Sequence, residues 1–141
     1  PFFSPDGQWV GYFGGGISMS KIPASGGTRI PIIGGADVIR GASWAEDGTI
    51  VYATTDPETG LLRVSDAGGT ATVLTKPDRD RGEADHVLPF VLPGGRGILF
   101  TILDAATNNP RVAVLDSRDQ SQKTLIPGAA SASYIDPGYL V

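Results

Sequence analysis

The chain has 141 residues, 40% hydrophobic and 18% charged, a composition that is typical of a folded domain and excludes a disordered segment. The formal net charge of −4 leaves no basic stripe to neutralise phosphates, so we expect neither nucleic-acid binding nor direct contact with an anionic membrane. The absence of cysteine excludes disulfides and thiolate metal sites.

Residues 1–13, PFFSPDGQWVGYF, predict two strands joined by a tight turn. Pro5 presets φ for a type I turn, Asp6 fits the next position, and Gly7 supplies the positive φ needed to enter the second strand. The segment 9–13 is almost continuously apolar, which is typical of a strand covered on both faces. The glycines at 14–16 lack the lysine and helix of a phosphate loop, so they predict a hairpin connection.

This strand–turn–strand unit recurs along the chain. It returns as GASWAEDGTIVYAT (41–54), PFVLPGGRGILFTI (89–102) and ASYIDPGYLV (132–141). The turn glycines, which are Gly7, Gly48, Gly95 and Gly138, are spaced by 41, 47 and 43 residues. A glycine pair at 26–27 recurs at 68–69, and the third copy has Asp119 and Gln120 in its place.

A period of about 40–50 residues with four strands per unit is typical of β-propeller blades. We therefore predict an all-β fold in which residues 1–141 form one propeller segment of four-stranded antiparallel blades. The blades are predicted at about 1–35, 38–77 and 86–128, with a half blade at about 131–141. The tryptophans Trp9 and Trp44 are predicted to pack between blades.

The string FSPDG, followed by an apolar strand and a GG-T turn, resembles the PD40 (WD40-like) repeat of TolB-type propellers over essentially the whole chain. The strings RGASWAEDGTIVY (40–52) and RGEADHVLPFVLPGGRGILFT (81–101) resemble propeller regions carried by bacterial serine/threonine protein kinases. This resemblance implies a propeller that follows a kinase domain as a sensor or scaffold, in a periplasmic or otherwise extracytoplasmic location.

The segment 41–45, Gly-Ala-Ser-Trp-Ala, is one residue short of the G-x-S-x-G nucleophile elbow. An elbow needs a strand-to-helix turn, whereas this segment leads into a hairpin, so we predict that Ser43 lies in a strand. A single histidine also limits any catalytic triad, and the sequence has no kinase catalytic-loop motif. We therefore expect no catalytic residue, no cofactor and no enzyme activity in this segment.

His86, the only histidine, lies in DRDRGEADHVLP, which we predict to be a loop before the apolar strand of the third blade. Such a loop can reach the mouth of the central channel, so Arg81, Glu83 and His86 are the predicted ligand-binding residues. The alternative is a loop histidine that hydrogen-bonds a neighbouring blade. The carboxylates within 78–85 suggest calcium, but interleaved arginines and the lack of a D-x-D-x-D-G pattern predict a solvated, internally paired loop without a metal.

These observations predict a non-catalytic binding or scaffold module from a larger bacterial protein, with a protein or peptide ligand at the channel mouth. The alternatives are a gating propeller fragment of a prolyl-oligopeptidase-like peptidase and a self-associating structural module. Because three and a half blades leave apolar faces uncovered, we also predict that two chains pair to give six full blades, with the terminal hairpins at the junctions.

Overall fold

The computed structural model describes residues 1–15, 17–35, 37–107, 109–136 and 138–141. Within them, the strands form three four-stranded antiparallel sheets and one two-stranded sheet, and each sheet is a meander of consecutive strands. This arrangement confirms the predicted propeller segment of three full blades and a half blade. Among the described residues, no helix is both long and apolar enough to cross a membrane.

The strands follow the repeat along the chain. Blade 1 consists of β1 (Phe2–Phe3), β2 (Trp9–Gly14), β3 (Ser18–Pro23) and β4 (Ile30–Gly34). Blade 2 consists of β5 (Ile39–Trp44), β6 (Thr49–Thr54), β7 (Leu61–Ser65) and β8 (Thr72–Val73). Blade 3 consists of β9 (Glu83–Val91), β10 (Gly97–Asp104), β11 (Arg111–Asp116) and β12 (Gln122–Pro127). The half blade consists of β13 (Tyr134–Ile135) and β14 (Tyr139–Leu140), and short 3₁₀ turns occupy Arg79–Arg81 and Pro93–Gly95.

The turn chemistry acts as the sequence predicts. In the first turn the Asp6 carboxylate accepts hydrogen bonds from the Ser4 hydroxyl and the Gln8 amide, and Gly7 has φ +69°. In the third blade Gln120, at the position of a glycine pair, still adopts φ +60°. A positive φ is therefore kept at one of the two positions although the glycine pair is absent. Gly14 ends β2, while Gly16 lies outside the described residues.

The core lies between blades, because β6 and β10, the second strands of blades 2 and 3, alternate their side chains between two neighbouring blades. On β6, Ile50 and Tyr52 pack towards blade 1, while Val51 and Ala53 pack towards blade 3. A smaller cluster around Leu99 joins blade 3 to the half blade. Strands β6 and β10 are buried along most of their length, but β2 is only half-buried. The prediction of cover on both faces is wrong for β2, because among the described residues blade 2 is the one blade that packs against blade 1.

The third sheet starts before its predicted boundary. Strand β9 begins at Glu83, three residues ahead of the predicted start at 86, and it extends to Val91. The charged string that precedes the apolar run suggested a loop, but Asp85 and His86 find partners on blade 2. Glu83 finds Arg111 within blade 3.

Lys21 joins blades 1 and 2. Its ammonium nitrogen lies 4.9 Å from the ring centroid of Trp9 and 5.6 Å from that of Trp44, and 3.5 Å from Asp66 Oδ1. Trp44 is buried and Trp9 packs against the same cluster, so the two tryptophans pack between blades as predicted. The aromatic faces and the carboxylate together offset the cost of placing an ammonium group there.

The Lys21→Met variant removes this charge while it keeps a long apolar side chain. We expect a loss of about 1 kcal/mol of unfolding free energy in urea titrations, because a cation–π contact and a poorly solvated ion pair disappear. The control is Arg118→Met, which breaks the exposed pair with Asp116 and should leave the unfolding midpoint unchanged. Equal effects of the two substitutions would show that Lys21 contributes no more than a surface charge.

Candidate functional site

The first strand of each blade, β1, β5, β9 or β13, is the one that borders the central channel of a propeller. Strand β5 packs against both β1 and β9. Two regions on these strands contain the candidate functional groups, and they lie at opposite ends of β9. A cluster of polar and charged residues surrounds Glu83 at its start, and an apolar cavity lies next to Val91 at its end.

The polar cluster centres on His86, which is fully buried. The Thr75 hydroxyl oxygen accepts a hydrogen bond from the Leu61 amide at 2.9 Å and lies 2.8 Å from His86 Nδ1. On the other side of the ring, His86 Nε2 lies 2.9 Å from Glu83 Oε2. Phe100 packs against the imidazole, with ring centroids 4.9 Å apart. The histidine thus connects blade 2, through Thr75, to blade 3.

The hydrogen bonds of this cluster define one protonation state. With Thr75 donating its hydroxyl proton to Nδ1, the neutral ring carries its proton on Nε2 and donates it to the Glu83 carboxylate. Burial lowers the pKa of His86, against the opposing effect of Glu83. Burial alone would raise the pKa of Glu83, but hydrogen bonds from the Asp78 amide and His86, and the charge of Arg111, together lower it. With His86 neutral and Glu83 ionised, the Thr75 hydroxyl and His86 Nε2 each donate their proton to an acceptor.

Two arginines complete the charge balance. Arg111 Nη2 donates to Glu83 Oε1 at 2.7 Å, and Arg40 Nη1 on β5 donates to Asp85 Oδ2 at 3.0 Å. Burial raises the pKa of Asp85, while the His86 amide and Arg40 oppose that rise. The Arg40–Asp85 pair joins the first strands of blades 2 and 3.

The structure brings two of the three predicted ligand-binding residues together and leaves the third, Arg81, apart from them. Arg81 is exposed, with 77% of its side chain accessible, and lies 3.8 Å from Asp78. Glu83 and His86 are buried and bonded to each other. The prediction that His86 lies in a loop is wrong, because it lies within β9, where contacts with Thr75 and Phe100 hold it in a strand. That these three residues bind a ligand stays a prediction.

The Thr75 hydroxyl, the His86 imidazole and the Glu83 carboxylate are connected in the order of a catalytic triad. They are inaccessible to a substrate. Thr75 is 4% exposed and His86 is 0% exposed. A nucleophile needs room for a reacting carbonyl about 3 Å away, and this hydroxyl is surrounded by Leu61 and His86. The cluster therefore stabilises the contact between two blades. Thr75 and Arg111 were not singled out from the sequence, because only the fold brings them to Glu83 and His86.

The buried histidine predicts a pH dependence of stability. Because its pKa in the folded chain lies below the ordinary value of 6.5, the unfolded chain binds the proton more readily. The contribution of His86 to the unfolding free energy is then fully present above pH 6.5, and it is lost as the pH falls from 6.5 through the pKa of the folded chain. Histidine is the side chain that ordinarily titrates between about pH 7.5 and 5.5. The urea concentration at the unfolding midpoint should decrease as the pH is lowered over this range. A pKa above 6.5, from the ring proton resonance of the folded chain, would contradict this account.

Strands β5 and β9 come close to each other at two irregular positions. Gly41 has φ +111° and Leu88 has φ +53°, and each lies where its strand shifts register against its neighbour. A Cβ atom at position 41 would lie 2.9 Å from Leu88 Cα and 3.3 Å from Leu88 N. Leu88 is exposed on this first strand. The contact between blades 2 and 3 therefore requires a glycine here.

The apolar cavity lies at the carboxyl ends of β1, β5 and β9 and has a volume of about 440 Å³. The half blade closes one side of it through Tyr134 and Asp136. Its wall is mainly aromatic and proline side chains, which include Phe2, Phe3, Trp44, Pro89, Phe90 and Pro93. Ser43 also borders the cavity, and its hydroxyl accepts a hydrogen bond from the Val91 amide at 2.9 Å. Ser43 lies in β5 with no helix after it, as predicted.

No three histidine, aspartate or glutamate side chains converge as metal ligands in the part of the chain that the structure describes. In the segment 78–85, Asp78 caps the short 3₁₀ turn through its carboxylate. Glu83 and Asp85, predicted to pair inside a solvated loop, instead pair with Arg111 and Arg40 from other strands.

Solved structures resemble this fold, although no protein-family model and no curated protein sequence matches the chain. A TolB-type protein of Agrobacterium tumefaciens aligns with a TM-score of 0.76 at 18% identity, over 94% of this chain and 52% of that one. TolB of Acinetobacter baumannii aligns with a TM-score of 0.71 at 17% identity, over 99% of this chain and 39% of that one. An oligogalacturonate lyase of Vibrio parahaemolyticus aligns with a TM-score of 0.56 at 12% identity, over 86% and 33%.

The fold of the chain is thus that of a TolB-type propeller. The chain spans about half the length of the first of these structures and less of the others. At these identities the likeness extends to the fold, and function has to be argued from the residues of this chain.

Proposed function

We propose that the chain is a binding or scaffold module that takes its ligand at the carboxyl ends of the channel-bordering strands. The observation that carries this proposal is the contrast between the two ends of β9. The buried cluster around His86 has its polar atoms bonded internally, whereas the aromatic and proline-lined cavity is open. Concave apolar surfaces with a few polar groups are the usual ligand sites of folded domains. A TolB-type fold supports a binding role.

Selection of a phage-displayed random peptide library on the immobilised chain tests this function. We expect selected peptides to compete with one another and to lose binding to a Phe3→Ser variant, because Phe3 lines the cavity and is 63% exposed. The control variant is Val73→Ser, which changes an exposed apolar residue on the outer strand β8. Failure to enrich any peptide, or equal loss in both variants, would overturn the binding role proposed for this cavity.

The parent protein is proposed to be bacterial and sensor-like, with the propeller outside the cytoplasm. The strings at 40–52 and 81–101, which resemble kinase-borne propellers, support this proposal. The gene that encodes the chain tests it directly. A kinase domain and a membrane span upstream are expected, whereas a hydrolase domain with a G-x-S-x-G motif downstream would favour the gating fragment of a peptidase.

Self-association through the open blade faces is a second proposal on partners. Large apolar residues are exposed on the half blade, namely Ile135, Tyr139, Leu140 and Val141. Exposed apolar surface of this kind commonly packs against a partner. Light scattering coupled to size exclusion is expected to give twice the mass of 14.6 kDa, for two chains that close a ring. A folded monomer at all concentrations would contradict the pairing.

A further inference from the structure

We propose that the apolar cavity binds a basic peptide segment in which a bulky apolar residue stands beside lysine or arginine. This inference rests on the proposed binding function and adds the chemistry of the ligand. The cavity is apolar, carries carboxylates at its rim, and has no basic residue among the described residues that line it.

The wall of the cavity suits one large apolar side chain. Its volume of about 440 Å³ is at the lower end of the range for ligand sites. Trp44 is buried beneath it and packs against Phe2, with ring centroids 5.9 Å apart, so this part of the wall is held in place. Phe3 and Tyr134 border it from β1 and the half blade. An aromatic or branched side chain that entered would leave water for a preformed apolar surface.

The rim is acidic. The cavity is lined by Glu46 and Asp136, and a neighbouring cleft between blades 1 and 2 shares Glu46 and adds Asp6 and Asp66. Lys21 neutralises Asp66 at 3.5 Å. Among the described residues, none of the other three carboxylates has a lysine, arginine or histidine nitrogen within 4.0 Å.

These carboxylates accept hydrogen bonds from neutral donors alone. Asp6 accepts from Ser4 and Gln8, Glu46 from the Gly94 amide at 3.3 Å, and Asp136 lies 3.5 Å from the Tyr134 hydroxyl. All three are exposed. Glu46 and Asp136 at the cavity, with Asp6 in the cleft beside it, complement a ligand with positive charges next to its anchor. Arg63 and Arg96 line two other adjoining clefts, so this complementarity is confined to the rim formed by the three carboxylates. A polyanionic oligosaccharide is therefore a poor match for this end of the channel.

Fluorescence anisotropy with synthetic peptides tests the proposal. The probe is a fluorescein-labelled pentapeptide of alternating lysine and phenylalanine, at low and at moderate salt. The comparison peptides replace lysine by glutamate or phenylalanine by serine. We expect binding of the first peptide, weakened by salt, and at least about tenfold weaker binding of both others.

Two matched double variants test whether the peptide binds at the cavity. The double variant Glu46→Gln/Asp136→Asn keeps the shape of the rim, and we expect it to weaken the lysine–phenylalanine peptide by about five- to tenfold. The control, Glu58→Gln/Asp80→Asn, makes the same change of net charge at exposed carboxylates that do not line the cavity. It should alter binding by less than about twofold.

Each other outcome overturns the proposal. The proposal is wrong if the lysine–phenylalanine peptide does not bind. It is also wrong if the two double variants weaken binding equally, because binding would then respond to net charge alone. A dimer whose formation protects Phe3 from contact would make a second copy the occupant. Peptides that are selected from the phage library but bind Glu46→Gln/Asp136→Asn unchanged would retain the binding function and reject this ligand chemistry.

Discussion

The Gly41→Ala variant is expected to lose about 3 kcal/mol of unfolding free energy, one of the largest effects of a single methyl group in this chain. Two causes combine at this position. Gly41 has φ +111°, where a residue with a Cβ atom is strained. The added carbon would also lie 2.9 Å from Leu88 Cα and 3.3 Å from Leu88 N. Because these atoms belong to the backbone of β9, relief requires blades 2 and 3 to move apart.

Gly69 provides a matched control for the strain alone. It has the same φ of +111°, but no heavy atom lies within 4 Å of a Cβ built there. The Gly69→Ala variant should therefore lose only about 1–2 kcal/mol. Urea unfolding of both variants, followed by circular dichroism, measures the difference. Equal losses would mean that the first strands of blades 2 and 3 do not approach as closely as described.

The His86→Ala variant is expected to lose about 3 kcal/mol, because it leaves a cavity beside Phe100 and removes partners from two buried groups. The Thr75 hydroxyl loses its acceptor and the Glu83 carboxylate loses the Nε2 donor. Arg111 and the Asp78 amide still bind Glu83, so the carboxylate is not isolated. The loss of unfolding free energy should therefore stay below that caused by leaving a buried charge without any partner.

Two comparisons make the His86 experiment specific. The Arg81→Ala variant, at an exposed side chain of the same segment, should change unfolding free energy by no more than about 0.5 kcal/mol. The effects of Thr75→Val and His86→Ala should not add in the double variant, because the two side chains share one contact. A loss below about 0.5 kcal/mol for His86→Ala would place the histidine in an exposed loop, as the sequence first suggested.

The repeat predicted the fold because its signals are local. A turn that needs positive φ selects glycine, as at Gly7 and Gly48, and the apolar segments between turns contain residue types that favour strands. The periodic spacing then shows how many such units follow one another. Even the copy without glycine, at Gln120, keeps the turn. The residues that pack between blades, such as Trp44, follow from the same pattern.

The polar cluster could not be predicted in the same way, because its partners are distant in sequence. Arg40 and Asp85 lie on separate blades, and Arg111 reaches Glu83 from a third strand of the same blade. Charges that are dense in sequence, as in 78–86, usually mark a solvated loop. Here blade packing supplies each buried charge with a counter-ion, so a strand forms. Likewise, the cavity arises where four separated strands end, which no local pattern reveals.

The proposal that the ligand binds at the carboxyl ends of the first strands is tested most directly by amide chemical shifts. A nitrogen-15-labelled chain would be titrated with the peptide of alternating lysine and phenylalanine. We expect shifts concentrated at residues 3, 44–46 and 90–92, which border the cavity. Shifts concentrated instead at residues 79–86, around Arg81 and Glu83, would contradict it and return the ligand to the opposite end of β9.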